Sequence, residues 1–397
     1  MDINAHRIMN ITKYIIVAIV VFSIAACNKE TVHLDASGIP VKVPSQDGGF
    51  NSAFSDGVMC LNQSQSPLSY YVIKQDGSIV QSDSLYYTDE GYAIANSCTY
   101  NNNHDELFIT FPIDDKGQFA LAKFYSNCRL AYYHTISGIA SDCAAMALDN
   151  GEFAIFVRDF SEADDDSRIA MRIINTDGCL EDYMVYLEDD LDDGFFDELY
   201  MEFYNFNSFG DRIMVSKYDY VEGATSFRIY KTDGTYVTSG LLESAEGEQS
   251  YDPLEFKYAG GNVYLINTSS NLEDCPHSLS KIDPDGNVIF TATLSVNELS
   301  PNVLAQDGTL IVLGTSLGDG DNNTSEFGQI FIIDDNTGTV RETIEFHYDD
   351  YIMPVLILPA PDGCYDLFVY RTTPSIPVTK IHIFHTDNLH NLQSDNQ

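Results

Sequence analysis

The sequence predicts an all-β protein, a seven-bladed β-propeller built of four-stranded antiparallel blades. Three observations predict it. An apolar run, a tight turn and a second apolar run recur seven times at intervals of roughly 50 to 56 residues. A second series of turns falls between the first. No amphipathic helical period appears beyond the N-terminal apolar segment. Four strands per repeat of about 50 residues, repeated radially, is the signature of propeller blades. A linear solenoid would need capping ends and usually has a shorter period.

The first series comprises 71–80, 122–130, 173–180, 227–234, 279–288, 330–338 and 381–388. Its turns are marked by Gly77, Cys128, Gly178, Gly234, Gly286, Gly338 and Asn388. Asp-Gly between alternating hydrophobic residues is a strong hairpin signal, because both residues tolerate positive φ. The second series runs Asp56-Gly57, His104-Asp105, Asn150-Gly151, Gly210-Asp211, Gly260-Gly261, Asp307-Gly308 and Asp362-Gly363. Each period thus holds two hairpins. After Asn388 the last blade has only the short polar stretch 389–393 for a fourth strand, so the segment 32–43 is expected to supply the missing pairing.

The N-terminus reads as an export signal. Arg7 and Lys13 precede an apolar run, Tyr14–Ala26, that is shorter than the ~20 residues of a membrane-spanning helix. It ends Ile24-Ala25-Ala26-Cys27 and is followed by polar Asn28-Lys29-Glu30. This ending resembles the lipobox of bacterial lipoproteins, and 28–30 resembles the charged export tag of Bacteroidota surface lipoproteins. The resemblance implies acylation of Cys27, cleavage before it, and anchoring in the cell envelope, in the outer membrane on its surface or periplasmic side. The expected organisation is a lipoprotein signal peptide at 1–26, a lipidated tether and closing strand within 27–45, and the propeller over 46–397.

The chain carries 60 acidic and 20 basic residues, a formal net charge of −40. Such a field repels nucleic acid and anionic head groups and favours cations and basic partners. The acids are interleaved with Tyr, Phe, Ile and Val, which argues for a folded chain. Of the eight Cys, seven remain once Cys27 is lipidated, so at least one is unpaired. No Cys-x-x-Cys occurs, and most Cys read as small hydrophobic residues in apolar strands, Cys60 among them.

The repeat unit, apolar strand then Asp-x-x-x-Gly as in Ile330–Gly338, resembles the quinone-type and YVTN-type propeller repeats. It lacks the Trp of the quinone-type repeat, since the chain contains none, and for the same reason the Trp-Asp and Asp-box repeats are excluded. The resemblance implies architecture, and points to Bacteroidota lipoproteins that act as accessories to nutrient uptake.

Function is expected on the face that carries the longer loops. The B–C loops there are 158–167, 217–226, 267–278 and 315–327, and the links between blades include 86–90, 188–197 and 347–351. Within the links an aromatic-Asp pair recurs: Phe196-Asp197, Tyr251-Asp252 and Tyr348-Asp349. Each precedes an innermost strand, so the six residues are expected to bind ligand at the mouth of the central channel. The same pattern also suits a structural role, with Asp capping the inner strand and the ring packed between blades. Asp319 and Asp321 open like a calcium loop, but Thr324 stands where that loop needs Gly and Ile330 where it needs Glu. Calcium there is the one cofactor the sequence suggests. His134, His277 and His347 are placed on the same face. No nucleophile-elbow, Walker or Rossmann pattern occurs. The reading is a lipid-anchored, non-catalytic binding propeller whose ligand is a glycan or an envelope protein. Its rivals are a lyase or hydrolase using loop carboxylates and His, and an assembly scaffold.

Overall fold

A computed structural model describes the strands and tight turns between Lys29 and Thr386, together with a few linking residues and Leu389. Residues 1–28, 34–38, 43–47, 63–68, 82–96, 102–105, 115–117, 137–142, 161–166, 189–194, 197–203, 220–223, 244–252, 268–276, 317–326, 348–350 and 390–397 are the stretches of three or more residues outside the described residues.

Two strands, β1 (Lys29–His33) and β2 (Ile39–Lys42), precede the blades. Blade one is β3 (Gly48–Phe54), β4 (Gly57–Asn62), β5 (Ser69–Lys74) and β6 (Ile79–Gln81). Blade two is β7 (Ser97–Asn101), β8 (Glu106–Asp114), β9 (Gln118–Tyr125) and β10 (Leu130–Ile136). Blade three is β11 (Cys143–Ala147), β12 (Phe153–Phe160), β13 (Ser167–Ile174) and β14 (Leu180–Tyr186). Blade four is β15 (Asn205–Phe209), β16 (Arg212–Asp219), β17 (Ala224–Lys231) and β18 (Tyr236–Glu243). Blade five is β19 (Pro253–Ala259), β20 (Asn262–Asn267), β21 (His277–Ile282) and β22 (Val288–Leu294). Blade six is β23 (Glu298–Gln306), β24 (Thr309–Ser316), β25 (Phe327–Asp334) and β26 (Val340–His347). Blade seven is β27 (Tyr351–Pro359), β28 (Tyr365–Thr373) and β29 (Ile376–Thr386).

The described strands form seven sheets, and no helix occurs among the described residues. Each blade is an antiparallel meander in chain order. The fourth strand of blade seven is β2, which pairs antiparallel with β29 from Ile39–Ile383 to Lys42–Lys380. β1 adds a fifth strand, parallel to β26, on the outer edge of blade six. The Gln75 amide donates to the Pro359 carbonyl at 3.1 Å and so ties blade one to blade seven.

The core lies between blades, not within them. In β16, Ile213 and Val215 pack on Phe156 and Met171 of blade three, while Met214 packs on Val263 and Leu265 of blade five. The middle strands are therefore buried on both faces. That is why 153–157 reads Phe-Ala-Ile-Phe-Val without a polar residue, whereas the outermost β22 alternates exposed and buried positions. Corresponding apolar layers join blades two to three, five to six and six to seven.

The hairpin turns differ from the two-residue form that Asp-Gly suggests. In most, the glycine has positive φ and the preceding Asp does not. In blade one, Gly77 N–H donates to Lys74 O at 2.9 Å and Lys74 N–H to Ser78 O at 2.9 Å, a three-residue loop with one bulged glycine. The Asp carboxylate instead accepts the N–H two residues on, as in Asp76 with Ser78 at 2.8 Å and Asp233 with Thr235 at 3.0 Å. This is the Asx-turn chemistry that makes Asp and Asn frequent here. Among the described turns only Asp307-Gly308 has both residues in the left-handed region, at φ 50° and 73°. Asn388 lies outside the described residues.

Close approach between blades is the second reason for glycine. A Cβ on Gly234 would stand 2.2 Å from the Tyr186 carbonyl oxygen of blade three. The same turn of blade two holds Cys128, left-handed at φ 64°, with its thiol donating to Val80 O of blade one at 3.4 Å.

Candidate functional site

The link between blades three and four is described at Leu187, Glu188, Phe195, Phe196 and Tyr204. It leaves β14, passes the Phe195-Phe196 turn and enters β15 through Tyr204. Both Phe rings are buried, Phe196 at 3% exposure, in the layer formed by Met171, Ile213 and Tyr230. Three contacts hold the turn. Arg158 Nη1 donates to Phe196 O at 2.9 Å, and Tyr204 OH donates to Phe195 O at 3.1 Å. The Arg228 guanidinium lies 4.5 Å from the Phe195 ring centre and 5.2 Å from that of Phe196. Lys217 adds a third cation, 5.4 Å from the Phe195 ring.

Arg228 is only 1% exposed. A guanidinium is held in such a place by charge partners, hydrogen bonds and ring faces, since desolvating it otherwise costs several kcal/mol. In a chain of net charge −40, three cations meet at the Phe195-Phe196 turn of a link whose sequence also carries Asp189, Asp190, Asp192, Asp193 and Asp197.

Of the six residues expected at the channel mouth, Phe196 has its ring committed to this inter-blade layer. Asp197, Tyr251, Asp252, Tyr348 and Asp349 lie outside the described residues, as do Asp319, Asp321 and Cys27. Ile330, where a calcium loop would need Glu, is a fully buried residue of β25. The loop 217–226 is shorter than the sequence suggests, because Lys217, Tyr218 and Asp219 extend β16 and pair with Ser226, Thr225 and Ala224. The three histidines are not grouped. His277 is buried in β21, His134 packs beneath the Gly178 turn of blade three, and His347 ends β26.

Other buried charges tie blades together. Lys281 of blade five bonds Asp335 of blade six at 2.8 Å, and Tyr264 OH donates to the same carboxylate at 2.6 Å. Burial, and then this acidic neighbour, push the Tyr264 phenol well above its ordinary value. Lys123 and Glu106 pair at 2.8 Å within blade two.

The opposite, hairpin face holds a constellation the sequence reading did not single out. Asp362 and Cys364 flank Gly363 in the β27–β28 turn, and Asp366 and His385 face each other across β28 and β29. Asp362, Cys364 and His385 each bring a ligand atom within 4.8 Å of the others. The signal was in the register. Asp366 and His385 are directly opposed once the β28–β29 pairing is fixed. The cysteines divide: Cys60, Cys98 and Cys143 lie in β4, β7 and β11 as expected, whereas Cys128, Cys179 and Cys364, none of them in a disulfide, sit in or beside hairpin turns.

No protein-family model and no curated protein matches the chain. Among solved structures it is similar to a protein of unknown function from Bacteroides caccae, with 12% identity and a TM-score of 0.41 over 74% of this chain and 99% of that one. It is also similar to an oligogalacturonate lyase in complex with manganese, with 10% identity and a TM-score of 0.49 over 89% and 95% of the two chains. The WD40 domain of SCAP from fission yeast gives 9% identity and a TM-score of 0.39 over 90% and 92%. The propeller itself is defined by the strand order of this chain.

Proposed function

We propose that this protein is a lipid-anchored, non-catalytic binding propeller of the bacterial envelope, probed by its ligand on the long-loop face. The observation that carries the reading is the clamped Phe195-Phe196 turn. Arg158, Arg228 and Tyr204 hold the backbone and rings of a link whose remaining residues are rich in carboxylates. Fixing a loop before it meets its ligand lowers the ordering cost of binding. The ligand is a glycan, stacked on ring faces, or an envelope protein with a basic patch. β1 begins at Lys29, directly after Cys27-Asn28, and pairs with the rim of blade six. An acyl chain on Cys27 would hold that rim near the bilayer.

The test is a screen of the detergent-solubilised full chain against glycans and envelope proteins, with product formation followed in parallel. The expected result is saturable binding without turnover. That affinity should fall at least tenfold when Asp197, Asp252 and Asp349 are changed together to Asn. Turnover of a bound glycan, or unchanged affinity in the triple variant, would overturn the reading. Replacing Cys27 by Ser should move the protein from the membrane to the soluble fraction; retention in the membrane would refute the anchor.

A further inference from the structure

Blade seven brings three different metal-binding groups to one point on the hairpin face. Asp362 Oδ1 accepts the Cys364 N–H at 3.0 Å, which fixes the turn and leaves Oδ2 turned to His385 Nε2 at 3.0 Å. On the other side of the imidazole, His385 Nδ1 lies 2.7 Å from Asp366 Oδ1. The Asp366 side chain is 7% exposed, while those of His385 and Asp362 are 44% and 57% exposed, so the cluster is anchored from below and open above. Cys364 is in no disulfide. Among the described residues no other three such groups converge this way.

We propose that Asp362, Cys364 and His385 form a binding site for one divalent transition-metal ion of the zinc type, with Asp366 as the residue that positions the imidazole. The donor set decides the class of metal. One imidazole nitrogen, one thiolate and one carboxylate oxygen suit zinc and its tetrahedral substitutes, whereas magnesium and calcium take all-oxygen shells. The geometry fits. Ligand atoms around tetrahedral zinc stand about 3.3–3.6 Å apart, from bond lengths of about 2.0–2.3 Å. The observed separations, at most 4.8 Å, close to that value by rotation of exposed side chains.

Asp366 supplies the outer partner such sites use. A carboxylate on the far ring nitrogen fixes the tautomer, so that Nε2 presents its lone pair to the metal. Proton balance is simple. The metal takes the place of the proton between Nε2 and Asp362 Oδ2, that proton and the thiol proton both leave to solvent, and no redox step is involved. Three protein ligands leave a fourth position open to solvent for water or a ligand group.

Cobalt(II) is the probe, because its tetrahedral thiolate complexes absorb in the visible and near-ultraviolet. The metal-free full chain should take up one Co²⁺ with a thiolate-to-cobalt charge-transfer band that Zn²⁺ abolishes. Cys364→Ser should remove the band, and Cys179→Ser, which alters an exposed thiol elsewhere, should keep it. His385→Ala should weaken Zn²⁺ binding at least tenfold, and Asp366→Asn about 10–100-fold. Both ligand variants change solvent-exposed or half-exposed side chains, and circular dichroism verifies that they fold. Absence of the band, or Zn²⁺ uptake that is equal in the wild type, Cys364→Ser and His385→Ala, would show that the acidic surface alone holds the ion and would overturn the proposal.

Discussion

Replacing Gly234 by Ala tests whether the turn glycines serve backbone conformation alone or also the approach of one blade to the next. Two costs are separable. The first is the positive φ, 86° at Gly234 and 64° at Gly210, which for an L-residue is worth about 1–2 kcal/mol. Gly210 bears only this cost, since a Cβ there meets nothing within 4 Å. At Gly234 the new methyl would lie 2.2 Å from Tyr186 O and 2.9 Å from Val185 Cγ1. The carbonyl belongs to a neighbouring strand and cannot rotate away, so the turn must lift from blade three. Overpacking of this kind costs about 1–3 kcal/mol. The shift also strains the Glu188 N–H bond to Gly234 O at 3.1 Å and the Tyr236 N–H bond to the Glu188 carboxylate at 2.8 Å, each worth about 0.5–1.5 kcal/mol. Gly234→Ala should therefore lose about 2–5 kcal/mol and Gly210→Ala about 1–2. Gly286→Ala belongs between them, because its nearest neighbour is a side-chain methyl, Thr238 Cγ2 at 2.2 Å. Equilibrium urea unfolding of the three variants reads the order directly. Equal losses at positions 234 and 210 would refute the argument from inter-blade contact.

Three further outcomes are expected. The side chains of Ser78 and Thr235, and then their N–H groups, lower the carboxyl pKa of Asp76 and Asp233, and Arg341 with neighbouring N–H donors lowers that of Asp334 to about 2. The sign follows from the lowered folded values: this stabilisation is complete above the unfolded carboxyl range and disappears as pH falls from about 4 towards 2, which thermal melts across that window should show, with Asp334→Asn flattening part of the loss. Phe196→Ala should cost about 3–5 kcal/mol in urea unfolding, because the ring is buried between blades and supports the Arg228 guanidinium; a loss under 1 kcal/mol would contradict the packing. Asp335→Ala should cost about 3–5 kcal/mol by leaving Lys281 buried without its carboxylate, and replacing both by apolar residues should recover much of it.

How much of this was legible in the sequence depends on whether a feature is written in local pattern or in register. The seven blades were legible because most of the described hairpin turns leave a local trace, a glycine at positive φ beside a side chain that accepts an N–H. The turn type was not, because Asp-Gly fits both a two-residue turn and a bulged three-residue one. The adjacency of β1 to β26 was illegible for a different reason: parallel pairing of Lys29–His33 with Thr343–His347 joins segments more than 300 residues apart with no turn between them. The Asp366–His385 pair is also a matter of register, since a slip of one residue would put the two side chains on opposite faces. Phe196 shows a third limit. An aromatic residue before an inner strand reads equally as a ligand platform and as packing, and only its position against Tyr230 and Arg228 separates the two.

The same distinction applies to the charge of −40. Part of it is structural. Asp76, Asp233, Asp283, Asp334 and Asp362 each accept N–H groups of their own turns, and Asp335 and Glu106 neutralise buried lysines. These carboxylates are required by hairpins and inter-blade ties, so they would be acidic whatever the protein bound. The acids of the links and B–C loops, such as Asp164-Asp165-Asp166 and Asp189-Asp190, lie outside the described residues. Neutralising the two groups separately should therefore divide stability from binding. Asn at the link acids Asp189, Asp190, Asp192 and Asp193 should leave the unfolding free energy from urea titration within about 0.5 kcal/mol of wild type, as for ordinary surface changes. It should also weaken attachment of a basic partner and its salt dependence. A large loss of stability from the link variant would mean that those carboxylates, too, serve the fold through Arg158, Arg228 and Lys217, and the case for a binding surface on that link would fall with it.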